Sequence, residues 1–212
     1  MSRLRILLLA PNCDPTEVSI PFVTYSHAAA LAEIHDVTLV VGSTFVERIR
    51  SAGAKFHKIE AVHIEKLQGL FDWGLRRIFK YNYATQALTA FRYPFAVAFE
   101  WYAWRQLCRR IFAGDFDVVL RLIPMSPVLP SPFAFFLRKG PIPFVIGPLN
   151  GGLPFVQNFS QAQSHKRWYS NLRWVYRFLP FARSTYRDAS AIIAASSQVC
   201  SEFASYQDKL FF

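Results

Sequence analysis

Six short strand-like segments, spaced along the chain with helical and loop-like stretches between them, set the tightest limit on what it can fold into. The first, Arg5–Ala10, reads RILLLA and is closed by Pro11. It is continuous rather than alternating, so both of its faces are apolar, as in a strand buried on both sides of a parallel sheet. Asp36–Val41, ended by Gly42-Ser43, reads as a second strand, Lys55–Ile59 as a plausible third, and Asp117–Leu122, Phe144–Gly147 and Ala191–Ala195 complete the set. Between them, Phe22–Glu33 reads as an alanine-rich helix, Phe45–Ser51 and Ser131–Lys139 as short helices, and Ser196–Tyr206 as a last helix capped by Ser196 or Ser197. Strands alternating with helices imply a parallel sheet with right-handed crossovers and helices on both faces. The expected fold class is α/β, a single Rossmann-like domain over residues 1–212.

The rhythm is interrupted twice by aromatic, helical stretches. Residues 64–113 contain Leu75–Tyr81 and Gln86–Phe112, the second expected to be kinked or split at Pro94. Gln163–Arg183 is the other. Eight of the thirteen prolines fall between Pro124 and Pro154 and punctuate the loops there. There is no internal repeat and no low-complexity tract.

Composition removes several classes. With 52% apolar and 18% charged residues, the chain is not intrinsically disordered. Its 212 residues can bury a core without staples. Cys13, Cys108 and Cys200 are odd in number and widely spaced, which gives neither a disulfide framework nor a metal-ligand pattern and points to a reducing cytoplasm. A membrane span needs about 20 apolar residues, and the best candidate, Phe91–Trp104, is broken by Arg92 and Glu100. The basic start MSRLR imitates a signal peptide, but the apolar run behind it is five residues long. A signal core needs roughly 7–15, so a buried first strand is expected instead.

In open parallel sheets ligands sit at the carboxyl ends of the strands. That singles out three segments: Asn12-Cys13-Asp14, Pro124-Met125-Ser126 and Asn150-Gly151-Gly152. The glycine pair either lets backbone N–H groups come close to a phosphate or sugar, or forms a plain turn. No glycine precedes Gly42, so the dinucleotide fingerprint fails; no Gly-Lys-Ser/Thr, GxSxG or HExxH occurs either. The chain carries no self-contained catalytic constellation.

The segments RILLLAPNCDP, HAAALAE, HDVTLVV, FDVV ahead of the proline-rich LIPMSPVLPSPFAFFLRKGPIPFVIGPLNGGLPF, and ASAIIAASSQV together resemble the N-terminal half of a GT-B glycosyltransferase. More narrowly, they are similar to the bacterial group-1, family-four branch, and GPLNGGLPF at Gly147–Phe155 is the most specific piece. The resemblance implies an N-terminal domain that binds the acceptor. It also implies a C-terminal domain that binds the nucleotide-sugar donor through two glutamates spaced E-x7-E and a basic pair, with no metal and with retention of configuration. No two of the seven glutamates here are eight apart, so the donor-binding half is expected to be absent and the chain inactive alone. A separate C-terminal donor-binding chain, or a truncated reading frame, would account for that.

By the same resemblance the acceptor is a saccharide or a lipid-linked sugar, and polysaccharide biosynthesis is the expected setting. The nucleotide sugar is a co-substrate rather than a resident cofactor. Asn12, Asp14, Arg121, Asn150, Gly151 and Gly152 are the expected acceptor-side residues, since Asn and Asp side chains suit sugar hydroxyls. The family often places a histidine near the strand end that here reads Leu120-Arg121-Leu122, and no histidine lies between His63 and His165. No catalytic residue is therefore assigned. Arg121 either faces an anionic acceptor group or is a charged residue at a strand end.

The formal charge of +10 is concentrated in the aromatic stretches. Residues 165–187 hold six Lys/Arg and no acid. Lys166, Arg173 and Arg177 fall within roughly 40° on a helix, opposite Trp168, Leu172 and Val175. This is either a core helix with a solvated basic face or a segment lying on an anionic membrane surface. A cytoplasmic protein, peripheral on the inner face of the membrane, is the matching location. The alternative to an enzyme half is a noncatalytic glycan- or glycolipid-binding module at the membrane. Nucleic acid, suggested by charge and aromatics, lacks any RRM, KH or helix-turn-helix signature.

Overall fold

The computed structural model describes residues 2–66, 69, 93–125, 129–150 and 178–212. Their elements run β1 (Arg5–Leu9), α1 (Ile20–Ile34), β2 (Asp36–Gly42), α2 (Val46–Ser51), β3 (Lys58–Val62) and α3 (Tyr93–Phe112). Then follow β4 (Val118–Arg121), α4 (Pro132–Leu137), β5 (Phe144–Leu149), α5 (Ala182–Asp188), β6 (Ala191–Ala194), α6 (Ser197–Glu202) and β7 (Leu210–Phe211). The strands make one sheet in the order β3-β2-β1-β4-β5-β6-β7, and every pairing is parallel. This is a Rossmann-like α/β domain. The chain lays down β1, β2 and β3 outward in one direction, then returns to place β4 on the other side of β1. Such a reversal opens a crevice between the loops that leave β1 and β4.

Strand β1 is central because its side chains are apolar on both faces. Ile6 and Leu8 join Val37, Leu39 and Val41 under α1 and α2, against Ala28, Ala32 and Ile49. Leu7 and Leu9 join Val119, Phe144 and Ile146 under α3 and α4, against Phe99, Leu107 and Phe133. Burial of each such Leu or Ile contributes about 1.5–3 kcal/mol, and β1 delivers four of them with no solvent-facing side after Arg5. The small Thr24, Ala28 and Ala32 are the buried residues of α1.

Most boundaries agree with the sequence reading to within two residues, and the differences have local causes. The third strand is Lys58–Val62 rather than Lys55–Ile59, because pairing with β2 (Thr38 opposite Lys58, Gly42 opposite Val62) sets where it begins. From Tyr93 to Phe112 α3 runs unbroken past Pro94, and what precedes Tyr93 lies outside the described residues. Ser131 caps α4 by accepting from the Phe133 N–H at 3.2 Å, with Pro132 as the first helical residue. The last helix stops at Glu202 and continues as a 3-10 turn, Ala204–Lys209, since Tyr206 is non-helical. β7 is an edge strand of two residues that the sequence reading did not contain. The expected helix Leu75–Tyr81 lies outside the described residues. So do the part of Gln86–Phe112 before Tyr93 and all but the end of Gln163–Arg183.

Candidate functional site

The carboxyl edge of the sheet is stitched together by the backbones of its own loops. Ala10 donates to the Val40 carbonyl (2.9 Å), Gly42 to Pro11 (3.2 Å), Leu122 to Leu9 (3.1 Å), and Asn150 to Met125 (2.7 Å). The loops leaving β1, β4 and β5 are thereby held in one row. At strand spacings of about 4.8 Å, β1 and β5 stand on either side of β4 roughly 10 Å apart. Asn12 and Asn150 are both exposed, one at each end of this row. The opposite edge is closed by charge: the Arg5 guanidinium meets Asp117 at 2.6 Å and Arg3 meets Asp36 at 3.3 Å. The hydrogen bonds from Arg5 hold the Asp117 carboxyl below the ordinary carboxylate range.

Asp14 does not face outward. It is fully buried and accepts from the Thr16 N–H (2.8 Å), the Thr16 hydroxyl (2.7 Å) and the Arg48 guanidinium. Burial alone would raise its pKa, but the Thr16 hydrogen bonds and the Arg48 charge together hold it below the ordinary value. Arg48, on α2, also lies 3.9 Å from Glu17 and over the Phe45 ring. Asp14 thus fastens the loop after β1 to α2, next to an open groove of about 360 Å³ lined by Pro15, Thr16, Glu47 and Arg48. Its neighbour Cys13 is buried too, and that burial pushes its thiol up to about 12.

Arg121 answers the question left open by its position. It ends β4, but its side chain turns inward, beneath the row of loops, and is only 1% exposed. Its Nε donates to Glu100 of α3 at 2.6 Å and Nη2 to the Leu129 carbonyl at 2.9 Å, while Nη1 has no acceptor among the described residues. The second Glu100 oxygen accepts from the Ser131 hydroxyl. The Ser131 N–H donates to Thr185 on α5 at 2.7 Å. Tyr93 stands nearby, donating to the Pro180 carbonyl, and burial together with the Glu100 charge pushes its phenol up to about 12. Arg121 is therefore an interior ion pair that ties β4 to three helices, not an exposed strand-end charge and not a surface of the crevice.

Of the six expected site residues, the structure brings Asn12 and Asn150 to the open row and places Asp14 and Arg121 under it. Gly151 and Gly152 lie outside the described residues, as does Ser126. Sequence reasoning missed Arg48 and Glu100. Glu100 carried a signal: a lone acid inside an apolar helical stretch needs a buried cation or hydrogen-bond donors. Arg48 carried none, being one of two arginines on a short helix.

The row also has an apolar shoulder. Val18, Ile20 and Phe22, at the start of α1, are exposed to 85%, 52% and 48%. The Asp14 N–H donates to the Pro21 carbonyl at 3.2 Å and fixes this turn beside the loop. Among the described residues, no three His, Cys, Asp or Glu cluster as a metal site, and no helix is long and apolar enough to cross a membrane. No protein-family model matches the chain, and no curated protein does.

Proposed function

We propose that this chain is the acceptor-side half of a GT-B glycosyltransferase, holding a saccharide or lipid-linked sugar across the β1, β4 and β5 loops. The observation that carries this reading is the crevice where the strand order reverses, flanked by exposed Asn12 and Asn150 at the carboxyl edge of the sheet. Each amide offers both an acceptor and donors, as sugar hydroxyls require. The apolar shoulder of Val18, Ile20 and Phe22 suits either a second lobe closing over the crevice or the hydrocarbon part of a lipid-linked acceptor. Asp14 and Arg121 support the loops from below. The donor lobe, with its electrostatic stabilisation of the leaving diphosphate, comes from outside residues 1–212.

Amide NMR titration tests this, with a panel of mono- and disaccharides in one series and UDP-glucose in another. A saccharide that shifts residues around Asn12 and Asn150, with no turnover of UDP-glucose by the chain alone, is the expected result. Saccharides that leave the whole row unshifted would overturn it. The genomic DNA past the codon for Phe212 separates enzyme half from binding module. A second α/β domain with E-x7-E, in frame or in a co-expressed chain, completes the enzyme. Sugar binding without any such lobe makes the chain a noncatalytic glycan-binding module.

A further inference from the structure

We infer that the outer face of α3, continued over α4 and the segment entering α5, docks onto an anionic lipid bilayer. This inference does not depend on sugar transfer, and it concerns residues other than 165–177, which lie outside the described residues.

The face begins with the periodicity of α3. At 100° per residue, Trp101, Tyr102, Arg105, Arg109 and Phe112 fall within about 100° of one another. Phe99, Ala103, Leu107 and Ile111 occupy the opposite side and are buried on the sheet. The α3 exterior should be polar if it only met water. Instead Trp101, Tyr102 and Phe112 are 48%, 46% and 57% exposed. The aromatic surface runs on beyond the helix. Trp101 meets Phe136 of α4 at 5.7 Å, Phe136 meets Phe181 at 6.4 Å, and the neighbouring Phe178 is 74% exposed.

The charges around it have one sign. Arg105 and Arg109 alternate with the aromatics of α3, Arg138 lies 4.2 Å over the Phe135 ring, and Lys139 and Arg183 are exposed alongside. None of these five has a carboxylate partner among the described residues. The acids of the same elements are already engaged: Glu100 with Arg121, Asp115 with Arg110, and Asp188 with Arg187. Indole and phenol rings partition to the headgroup level of a bilayer, and unpaired cations among them are drawn to anionic lipid. Stacking of nucleic-acid bases is less well served. The Trp101–Phe136 and Phe135–Phe181 pairs meet at 59° and 57°, so rings cover one another rather than presenting open flat faces.

The test is co-sedimentation with vesicles of phosphatidylcholine, with and without phosphatidylglycerol, at low and high salt. The expected result is binding to the phosphatidylglycerol vesicles at low salt, weakened at high salt. The triple variant R105Q/R109Q/R138Q, whose substituted side chains are all exposed, should bind roughly a hundredfold more weakly at an unchanged melting temperature. Brominated lipid should quench the tryptophan emission of the parent and quench W101F less. Absence of binding at low salt overturns the inference. So does full binding by the triple variant, which would assign the membrane contact to other cations, and so does competition by a single-stranded oligonucleotide without any lipid quenching.

Discussion

Arg121 and Glu100 form an ion pair of 2.6 Å between the end of β4 and the middle of α3, with side-chain exposures of 0% and 4%. A carboxylate and a guanidinium at that depth are retained only because each also holds neutral partners: Leu129 on one side, Ser131 on the other. Breaking the pair from one end strands a charge. Glu100→Gln or Arg121→Met should therefore cost about 3–5 kcal/mol of unfolding free energy in urea titrations. The double variant E100M/R121M should recover much of that loss, because two apolar side chains of similar volume replace both charges together. A double variant as unstable as the worse single one would mean that the pair is held for its hydrogen bonds to Leu129 and Ser131 rather than for charge balance.

Gly147 is required by space and by backbone. Its φ is +131°, and a Cβ built there would stand 2.4 Å from the Ile193 carbonyl oxygen and 2.8 Å from the Ile193 Cβ. Gly147→Ala must push β5 and β6 apart just before Asn150. A loss of about 3 kcal/mol or more is expected from the clash and the strained φ together. Thermal unfolding of the variant measures it, and an unchanged melting temperature would contradict the close approach of the two strands.

The fold was legible because its central strand is a continuous apolar run, and Ile6-Leu7-Leu8-Leu9 has no alternative but burial on both faces. What escaped were features decided by pairing rather than composition. The start of β3 depends on Thr38 and its neighbours in β2. The Leu210–Phe211 pair becomes a strand only because β6 offers a free edge. Of the site, position was legible and direction was not. Arg121 stands at a strand end in the sequence, but the face it points to follows from strand register, which sets it beside Leu9 and Ile146 on the α3 side. The partner that holds it there, Glu100, is 21 residues away.

Asp14 gives the stability an acid limb. Its folded pKa lies below the ordinary value, so its contribution is present above the unfolded carboxylate pKa of about 3.9 and is lost as pH falls through the folded value. Asp14→Asn should be less stable than the parent by about 1–2 kcal/mol at neutral pH, since it forfeits the Arg48 ion pair. The gap should close as the pH drops below the carboxylate range. Urea titrations of both proteins at neutral and acidic pH check this. A gap that widens in acid would reverse the assignment of the Arg48 and Thr16 contacts as carboxylate-stabilising.

Cys13 is expected to be silent toward thiol reagents in the native protein. It is fully buried, and its thiol titrates near 12, so almost no thiolate exists at neutral pH, and thiolate is the reactive form. Cys108 and Cys200 are partly exposed. Iodoacetamide labelling followed by peptide mass analysis should therefore modify those two first, with Cys13 labelled only in denaturant. Native labelling of Cys13 at a rate equal to theirs would show that the loop after β1 opens, with Asp14 released from Arg48.

The exposed pair Asn12 and Asn150 provides the sharpest separation of function from stability. Each side chain lies at the surface of the row, and the bond that shapes the loop there, from the Asn150 N–H to the Met125 carbonyl, is made by backbone and survives truncation. Asn12→Ala and Asn150→Ala should accordingly leave the unfolding free energy within about 0.5 kcal/mol of the parent's. A saccharide held by both amides should lose roughly tenfold in affinity with each substitution, as one or two neutral hydrogen bonds vanish. Two losses that multiply in the double variant place both amides on one ligand. Saccharide affinity unaffected by either change would remove the row of β1, β4 and β5 loops as the sugar site, whatever the rest of the fold suggests.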